Sequence, residues 1–123
     1  NKKVYVTANI LAHNDQIEDA KGYFEQLKEI NPDALIISDP GIFTIAREVL
    51  EKSNIELHIS TQANNTNYAT YKFWHSLGAS RVVTARELSL EEIKCIRRQI
   101  PNPSLANKIP KSKFFIFTPN FQI

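Results

Sequence analysis

The chain has no methionine, a single cysteine and only three glycines among its 123 residues. Each shortage closes a route. One cysteine, Cys95, excludes an internal disulfide framework and any metal site built wholly from cysteine within these residues. A reducing, cytoplasmic setting is the expectation that follows. So few glycines leave no P-loop and no G-x-G-x-x-G after the first strand-like run, which disfavours a dinucleotide fold. There is no G-x-S-x-G elbow and no zincin motif. No apolar run approaches the roughly 20 residues of a membrane span. No basic segment followed by an apolar stretch opens the chain, so no signal peptide is visible. The formal net charge of +2 is too small to argue by itself for nucleic acid or an anionic membrane. Because methionine is absent and the first residues, Asn1-Lys2-Lys3-Val4, already read as strand, an internal fragment of a longer protein is expected.

What is present is a repeated grammar. Four times an apolar, strand-like run ends in polar residues and gives way to a helical pattern. Val4 to Asn9 leads to a helix near Asn14, and Ala34 to Asp39 to one after Pro40. Leu57 to Gln62 leads to one near Tyr68, and Arg81 to Glu87 to one after Ser89. Strands alternating with helices build parallel sheets, because parallel neighbours need a crossover. Strands near 4–8, 34–38, 56–60 and 81–85 are expected to be parallel neighbours in chain order, and Phe114–Phe117 reads as a fifth. The fold class expected is α/β, a partial TIM-barrel-like (βα) repeat of about half a barrel, since a complete barrel takes about 250 residues. Residues 1–123 then form part of one barrel domain. Exposed strand edges at Val4–Thr7 and near Phe114–Phe117 predict edge-mediated self-association.

The helices carry their own signals. The first is expected over Asp15 to Ile30, with Ile17, Ala20, Phe24, Leu27 and Ile30 buried, and with Asp15 and Glu18 at capping-box spacing. Asp39-Pro40 opens the second, whose stripe is Ile42, Ile45, Ala46, Val49 and Leu50. The third runs from about Asn67 to Leu77, with Ala69, Phe73, Trp74 and Leu77 apolar and Gly78 at its end. Ser89-x-x-Glu92 is a capping box for the fourth, with Leu90, Ile93, Ile96 and Ile100 as its stripe and Pro101 as its stop.

Parallel strands point one way, so the polar clusters at their C-terminal ends share the end where α/β proteins place their sites. The candidates are Asn9, His13, Ser38, Asp39, Thr61, Gln62, Asn64, Asn65, Arg86 and Glu87. Asp39 before Pro-Gly is most simply a helix cap. Turn chemistry explains most of Asn64, Asn65 and Asn67. Gln62 is a poor cap and is harder to dismiss. Arg86-Glu87 suits substrate orientation and acid–base work, against the alternative of an ion pair tying strand ends together. The catalytic assignments are therefore Glu87, Arg86 and Asp39, and the substrate-binding ones Asn9, Thr61, Gln62 and Asn64. His58 reads as a core histidine, His75 as solvated and His13 as a lone imidazole. The three give no metal spacing, and no metal ligand is assigned. Cys95 reads as a buried or half-buried structural thiol. Tyr68, Tyr71, Phe73 and Trp74 suggest base stacking, but helix-to-sheet packing is the stronger explanation.

Taken together, Val4 to Ile10, Asp33 to Gly41, Ser60 to Asn64 with Phe73-Trp74, and Ala85-Arg86-Glu87-Leu88-Ser89 resemble the collagenase-like peptidase family U32 over about residues 1 to 100. The resemblance implies a TIM-barrel-like core and a protease acting on a peptide. Other members are linked to hydroxylation of an RNA base or a quinone and carry an iron–sulfur cluster. The cysteines that hold the cluster are downstream of the Ala-Arg-Glu-Leu-Ser segment in the family. No cofactor is therefore expected within these residues, and a cluster is implied only for the intact protein. A non-catalytic binding module is the third reading. Residues 101–123 depart from the family pattern and read as a divergent tail.

Overall fold

A computed structural model describes residues 2–100 and 115–117. Five strands alternate with four helices: β1 (Tyr5–Thr7), α1 (Ile17–Ile30), β2 (Ala34–Ile37), α2 (Pro40–Val49), β3 (Glu56–Ile59), α3 (Tyr68–Ser76), β4 (Arg81–Val83), α4 (Leu90–Gln99) and β5 (Phe115–Phe117). The architecture is α/β and every described strand pair is parallel. The chain divides into two compact units after Leu57, within β3.

In the first unit β1 pairs with β2, with Tyr5 opposite Ala34 and Thr7 opposite Ile36. Asp33 pins the strand starts. Its carboxylate accepts from the Val4 N–H at 2.7 Å, its own N–H donates to the Val4 carbonyl at 3.0 Å, and its carbonyl accepts from the Glu56 N–H at 3.0 Å. Leu35 and Ile37 are fully buried, whereas Val4, Tyr5 and Thr7 are exposed along β1. Helix α1 packs against α2, and Lys28 Nζ donates to the Val49 carbonyl at 2.9 Å.

Two expectations for α1 are corrected. Its entry is a tight 3-10 turn at Asn14–Gln16, in which the His13 N–H donates to Gln16 Oε1 at 3.0 Å. The capping role therefore falls to His13 and Gln16, while Glu18 pairs with Lys21 at 2.7 Å. The buried stripe is Ala20, Phe24 and Leu27, and Ile30 is 71% exposed. The reason is the exit: Asn31 adopts a left-handed conformation (φ 56°) and its N–H closes on the Leu27 carbonyl. Ile30 is left on the outer side of that last turn. In α2 the fully buried Phe43 joins Ile42, Ala46 and Leu50, while Ile45 and Val49 are half-buried.

In the second unit β3 pairs with β4 and β4 with β5, with Val82 opposite Ile116. His58, Ile59 and Val82 are buried, and α3 packs against α4. Helix α4 follows expectation: Ser89 caps it in a capping box with Glu92, and Ile93, Ile96 and Ile100 are buried. Helix α3 does not. Tyr71 and Trp74 are its buried side chains, while Phe73 is 47% exposed, Ala69 is exposed and Leu77 is half-buried. Starting the helix at Tyr68 turns the 71/74 edge inward, and both buried rings find polar partners there, as their hydroxyl and indole groups require. Gly78 at φ 93° ends the helix region as expected. The fifth strand is found at Phe115–Phe117. Phe114, the stop at Pro101 and the rest of the divergent tail lie outside the described residues. Among those described, no helix is long and apolar enough to cross a membrane.

Candidate functional site at the strand ends

In the first unit Asn9 follows β1 and Asp39 follows β2, on the same end of a parallel pair. The pairing continues past the strand, since the Ala8 N–H donates to the Ile36 carbonyl at 2.8 Å. Asn9, Ser38 and Asp39 are half-buried. Asp39 is a helix cap, as its simplest reading held. Its Oδ1 accepts from the Ile42 N–H at 2.8 Å, and Pro40 fills the first position of α2. Such a cap is worth about 1 kcal/mol. His13 is exposed and starts the 3-10 turn.

The second unit holds a denser arrangement. After β3 the chain makes a 3-10 turn at Thr61–Ala63, capped by Ser60, whose Oγ accepts from the Gln62 N–H at 3.2 Å. Asn64 closes the turn in a left-handed conformation (φ 53°) and is exposed. Asn tolerates that region at little cost, which is the turn role expected of it. Asn65, its neighbour, points inward and is fully buried. Its Nδ2 donates to the Ser60 carbonyl at 3.0 Å and to the Val83 carbonyl at 2.9 Å. Its Oδ1 accepts from Trp74 Nε1 at 3.0 Å. Its backbone carbonyl accepts from the Ala85 N–H at 3.2 Å and the Tyr71 hydroxyl at 3.3 Å. Burial pushes the Tyr71 phenol well above its ordinary range, so it remains a neutral donor.

One side chain therefore ties the ends of β3 and β4 to helix α3. A second tie runs from Thr61 Oγ1 to the Thr84 carbonyl at 2.9 Å. Thr61 is half-buried and fixed by this bond, while Gln62 is exposed beside it. Across the pair, Arg86 and Glu87 form an exposed two-residue turn. Neither makes an ion pair among the described residues, so the strut alternative finds no support in the geometry. Thr61, Gln62, Asn64, Arg86 and Glu87 thus share one end of a parallel strand pair, on a backbone held by buried hydrogen bonds.

Sequence reasoning missed the hub role of Asn65. In a run of polar residues, composition does not distinguish the one that faces inward. The available signal was Trp74, whose indole N–H needs an acceptor once buried. His58 is buried, as a core histidine should be. His75 is half-buried rather than solvated, and Cys95 is exposed on α4 rather than buried. No group of three His, Cys, Asp or Glu side chains that would hold a metal exists among the described residues. A cavity of about 160 Å³ lies at the other end of β1 and β2, lined by Lys3, Tyr5, Asn31, Pro32, Asp33, Asn54 and Glu56. It is well below the roughly 300 Å³ at which small-molecule sites begin.

A family model described as Peptidase family U32 matches residues 1–107. The tRNA hydroxylation protein P of Haemophilus influenzae is 44% identical over 104 residues, which is 85% of this chain and 22% of that protein. The 23S rRNA 5-hydroxycytidine C2501 synthase of Escherichia coli is 36% identical over 96 residues, 78% of this chain and 14% of that protein. The chain therefore spans less than a quarter of the length of either relative. Among solved structures, that of the U32 peptidase Mk0906 matches 80% of this chain and 42% of its own, with a TM-score of 0.64 and 17% identity. At that identity the match carries the fold alone.

Proposed function

This chain belongs to peptidase family U32, and from that premise we propose that it forms part of a protein that hydroxylates RNA rather than one that cleaves peptides. The observation that carries the reading is the 44% identity to tRNA hydroxylation protein P across 85% of the chain. The strand-end chemistry is consistent with it. A peptidase nucleophile needs a base within hydrogen-bond reach. Ser60, the serine at the end of β3, is buried and engaged as a turn cap, and Cys95 is on the surface of α4. What the strand ends of the second unit present instead are the amides Gln62 and Asn64, the Thr61 hydroxyl and the Arg86–Glu87 turn. Amides suit the hydrogen-bonding edges of a splayed base and a guanidinium suits a phosphate.

In this reading Gln62 and Asn64 face the base, Thr61 sets the loop and Arg86 holds the backbone of the RNA. Glu87 is the acid or base. Asn9 contributes to binding, and Asp39 holds the start of α2. Hydroxylation of a base requires an oxygen donor and a redox group. The residues here do not fit an iron–sulfur cluster, because the single cysteine is exposed and the described residues gather no three metal donors. We assign that chemistry to parts of the full-length protein outside these residues, place residues 1–123 within one barrel domain with a divergent tail from 101, and place the protein in the cytoplasm with its RNA. Self-association through the exposed β1 edge is part of the same proposal.

The test is deletion of the gene, followed by mass spectrometry of nucleosides from purified tRNA and rRNA. Loss of a hydroxylated nucleoside, restored by the wild-type gene and not by Glu87→Gln, is the expected result. An unchanged nucleoside profile, with peptide cleavage by the purified protein, overturns it.

A further inference from the structure

The aromatic cluster on α3 divides in two. Tyr71 and Trp74 face inward, whereas Tyr68 and Phe73 are 48% and 47% exposed. At 100° per residue, Tyr68, Ala69, Lys72, Phe73 and Ser76 share one face of the helix, and all five are exposed. The Lys72 ammonium lies 5.1 Å from the centre of the Tyr68 ring, covering one face of it. Phe73 meets Trp74 edge-on, with ring centres 5.1 Å apart, and Trp74 is in turn held by Asn65. The exposed rings are therefore braced. Tyr68 is steadied by its cation, and Phe73 by a buried indole that is itself hydrogen-bonded.

Helices α3 and α4 together carry more cations (Lys72, Lys94, Arg97 and Arg98) than carboxylates (Glu91 and Glu92). Helix α3 contains Lys72 and His75 and no carboxylate. On α4, which packs against it, the acidic residues are engaged at the first turn, Glu91 with Lys94 at 3.0 Å and Glu92 with Ser89. Arg97 and Arg98 in its last turn are exposed. Aromatic faces beside exposed cations are the means by which proteins hold single-stranded nucleic acid: bases stack on the rings and phosphates meet the cations. A helix docked in a protein groove is read as anchors at i, i+3, i+4 and i+7, a spacing that Tyr68 and Phe73, five residues apart, do not follow. Here the outward side chains are two aromatics, a lysine and two small residues.

Resting on the RNA reading of the preceding section, we propose that the outer face of α3 is a second RNA contact, separate from the strand ends. Tyr68 and Phe73 stack on unpaired bases and Lys72 neutralises a phosphate between them. Five residues separate the two rings, about 7.5 Å along the helix axis, which suits two splayed nucleotides rather than a continuous stack. The contact positions the substrate and does not take part in the reaction.

The test uses the full-length protein and a fluorescently labelled oligouridylate, with binding read by anisotropy and contacts mapped by ultraviolet crosslinking. Tyr68→Ala and Phe73→Ala are each expected to weaken binding roughly 5- to 10-fold. Tyr68→Phe and Phe73→Tyr, which keep a ring, are expected to restore it. Lys72→Gln is expected to lower the salt dependence by about one phosphate contact. Crosslinks should fall at Tyr68 and Phe73. Unchanged affinity in both alanine variants, with wild-type melting temperature and crosslinks only elsewhere, overturns the proposal. Capture of a protein through this face with RNA affinity unaltered overturns it equally. The nucleoside assay on the wild type separates this outcome from the hydroxylation reading: a wild type that makes no hydroxylated nucleoside yet crosslinks through Tyr68 and Phe73 leaves the α3 contact standing.

Discussion

Replacing Asn65 by alanine removes three hydrogen bonds at once, two of them buried (to Ser60 and Trp74) and one part-buried (to Val83). The losses are unequal. The Ser60 carbonyl keeps a second partner, because the Ala63 N–H donates to it at 3.1 Å. The Trp74 indole is left without the Asn65 acceptor in a side chain only 3% exposed. An abandoned buried donor costs about 1–3 kcal/mol, and each lost net bond about 1 kcal/mol. Asn65→Ala should therefore destabilise the fold by about 3 kcal/mol, a fall of roughly 10 °C in melting temperature for a chain of this size. Denaturant unfolding monitored by Trp74 fluorescence reads this directly, since it is the chain's only tryptophan. Asn65→Asp gives a second, sharper reading. It keeps an acceptor for Trp74 but sets a carboxylate oxygen against the Ser60 and Val83 carbonyls. That environment raises the folded-state pKa of the new carboxyl above its unfolded value of about 3.9. The penalty is then largest above the raised pKa and disappears as pH falls below about 3.9, where both states are protonated. A loss under about 0.5 kcal/mol for Asn65→Ala, the range of an ordinary surface change, would show that the hub holds nothing together.

Two glycines should respond with opposite signs. Gly78 has φ 93°, so Gly78→Ala should cost about 1 kcal/mol or more, whereas Gly22 is in mid-α1 with open space at its Cβ position, so Gly22→Ala should add about 0.5–1 kcal/mol. Paired melting curves check both, and a like sign for the two would refute the assigned backbone geometry. The Ser89 hydroxyl and N–H hold the Glu92 carboxyl below its ordinary value of 4.5. Its capping contribution is therefore complete above the unfolded-state value and is lost as pH falls through the lowered folded one. A carbon-detected titration should show the Glu92 midpoint rising in Ser89→Ala, and an unmoved midpoint would contradict the capping box.

The parallel α/β plan was legible because two independent signals agreed at each unit. Apolar runs such as Ala34–Ile37 were followed by cap residues such as Asp39 and Ser89, and a run that ends in a helix cap has few other ways to fold. The misreadings have a common source. Ile30 and Phe73 were assigned inward from periodicity, yet helix orientation is set by whichever residues find partners inside. Trp74 had Asn65 and Tyr71 had the Asn65 carbonyl, so Phe73 turned out. Cys95 was placed inside on its residue type, but on α4 it falls outside the Ile93–Ile96–Ile100 stripe. For the strand-end site, position along the chain was readable and the division of labour was not. That division depends on contacts between residues some twenty apart, as between Thr61 and Thr84.

The second unit's strand ends separate support from display, residue by residue. Ser60, Asn65, Thr84 and Ala85 are buried, whereas Gln62, Asn64, Arg86 and Glu87 are exposed among them. Each exposed group is thus one or two residues from a buried one whose hydrogen bonds fix the local backbone. Loops held this way order a binding surface without packing its side chains away, so little backbone entropy remains to be lost when a ligand arrives. This arrangement suits recognition of a polar, planar substrate better than it suits a nucleophile, which must itself be oriented by a neighbouring base. The exposed rings of α3 extend the same logic outward, because Trp74, the side chain that braces Phe73, is held by the same Asn65 that clamps β3 to β4. Loosening Asn65 should therefore disturb the strand-end loops and the α3 face together, while substitutions at Tyr68 or Lys72 should leave the strand ends as they are.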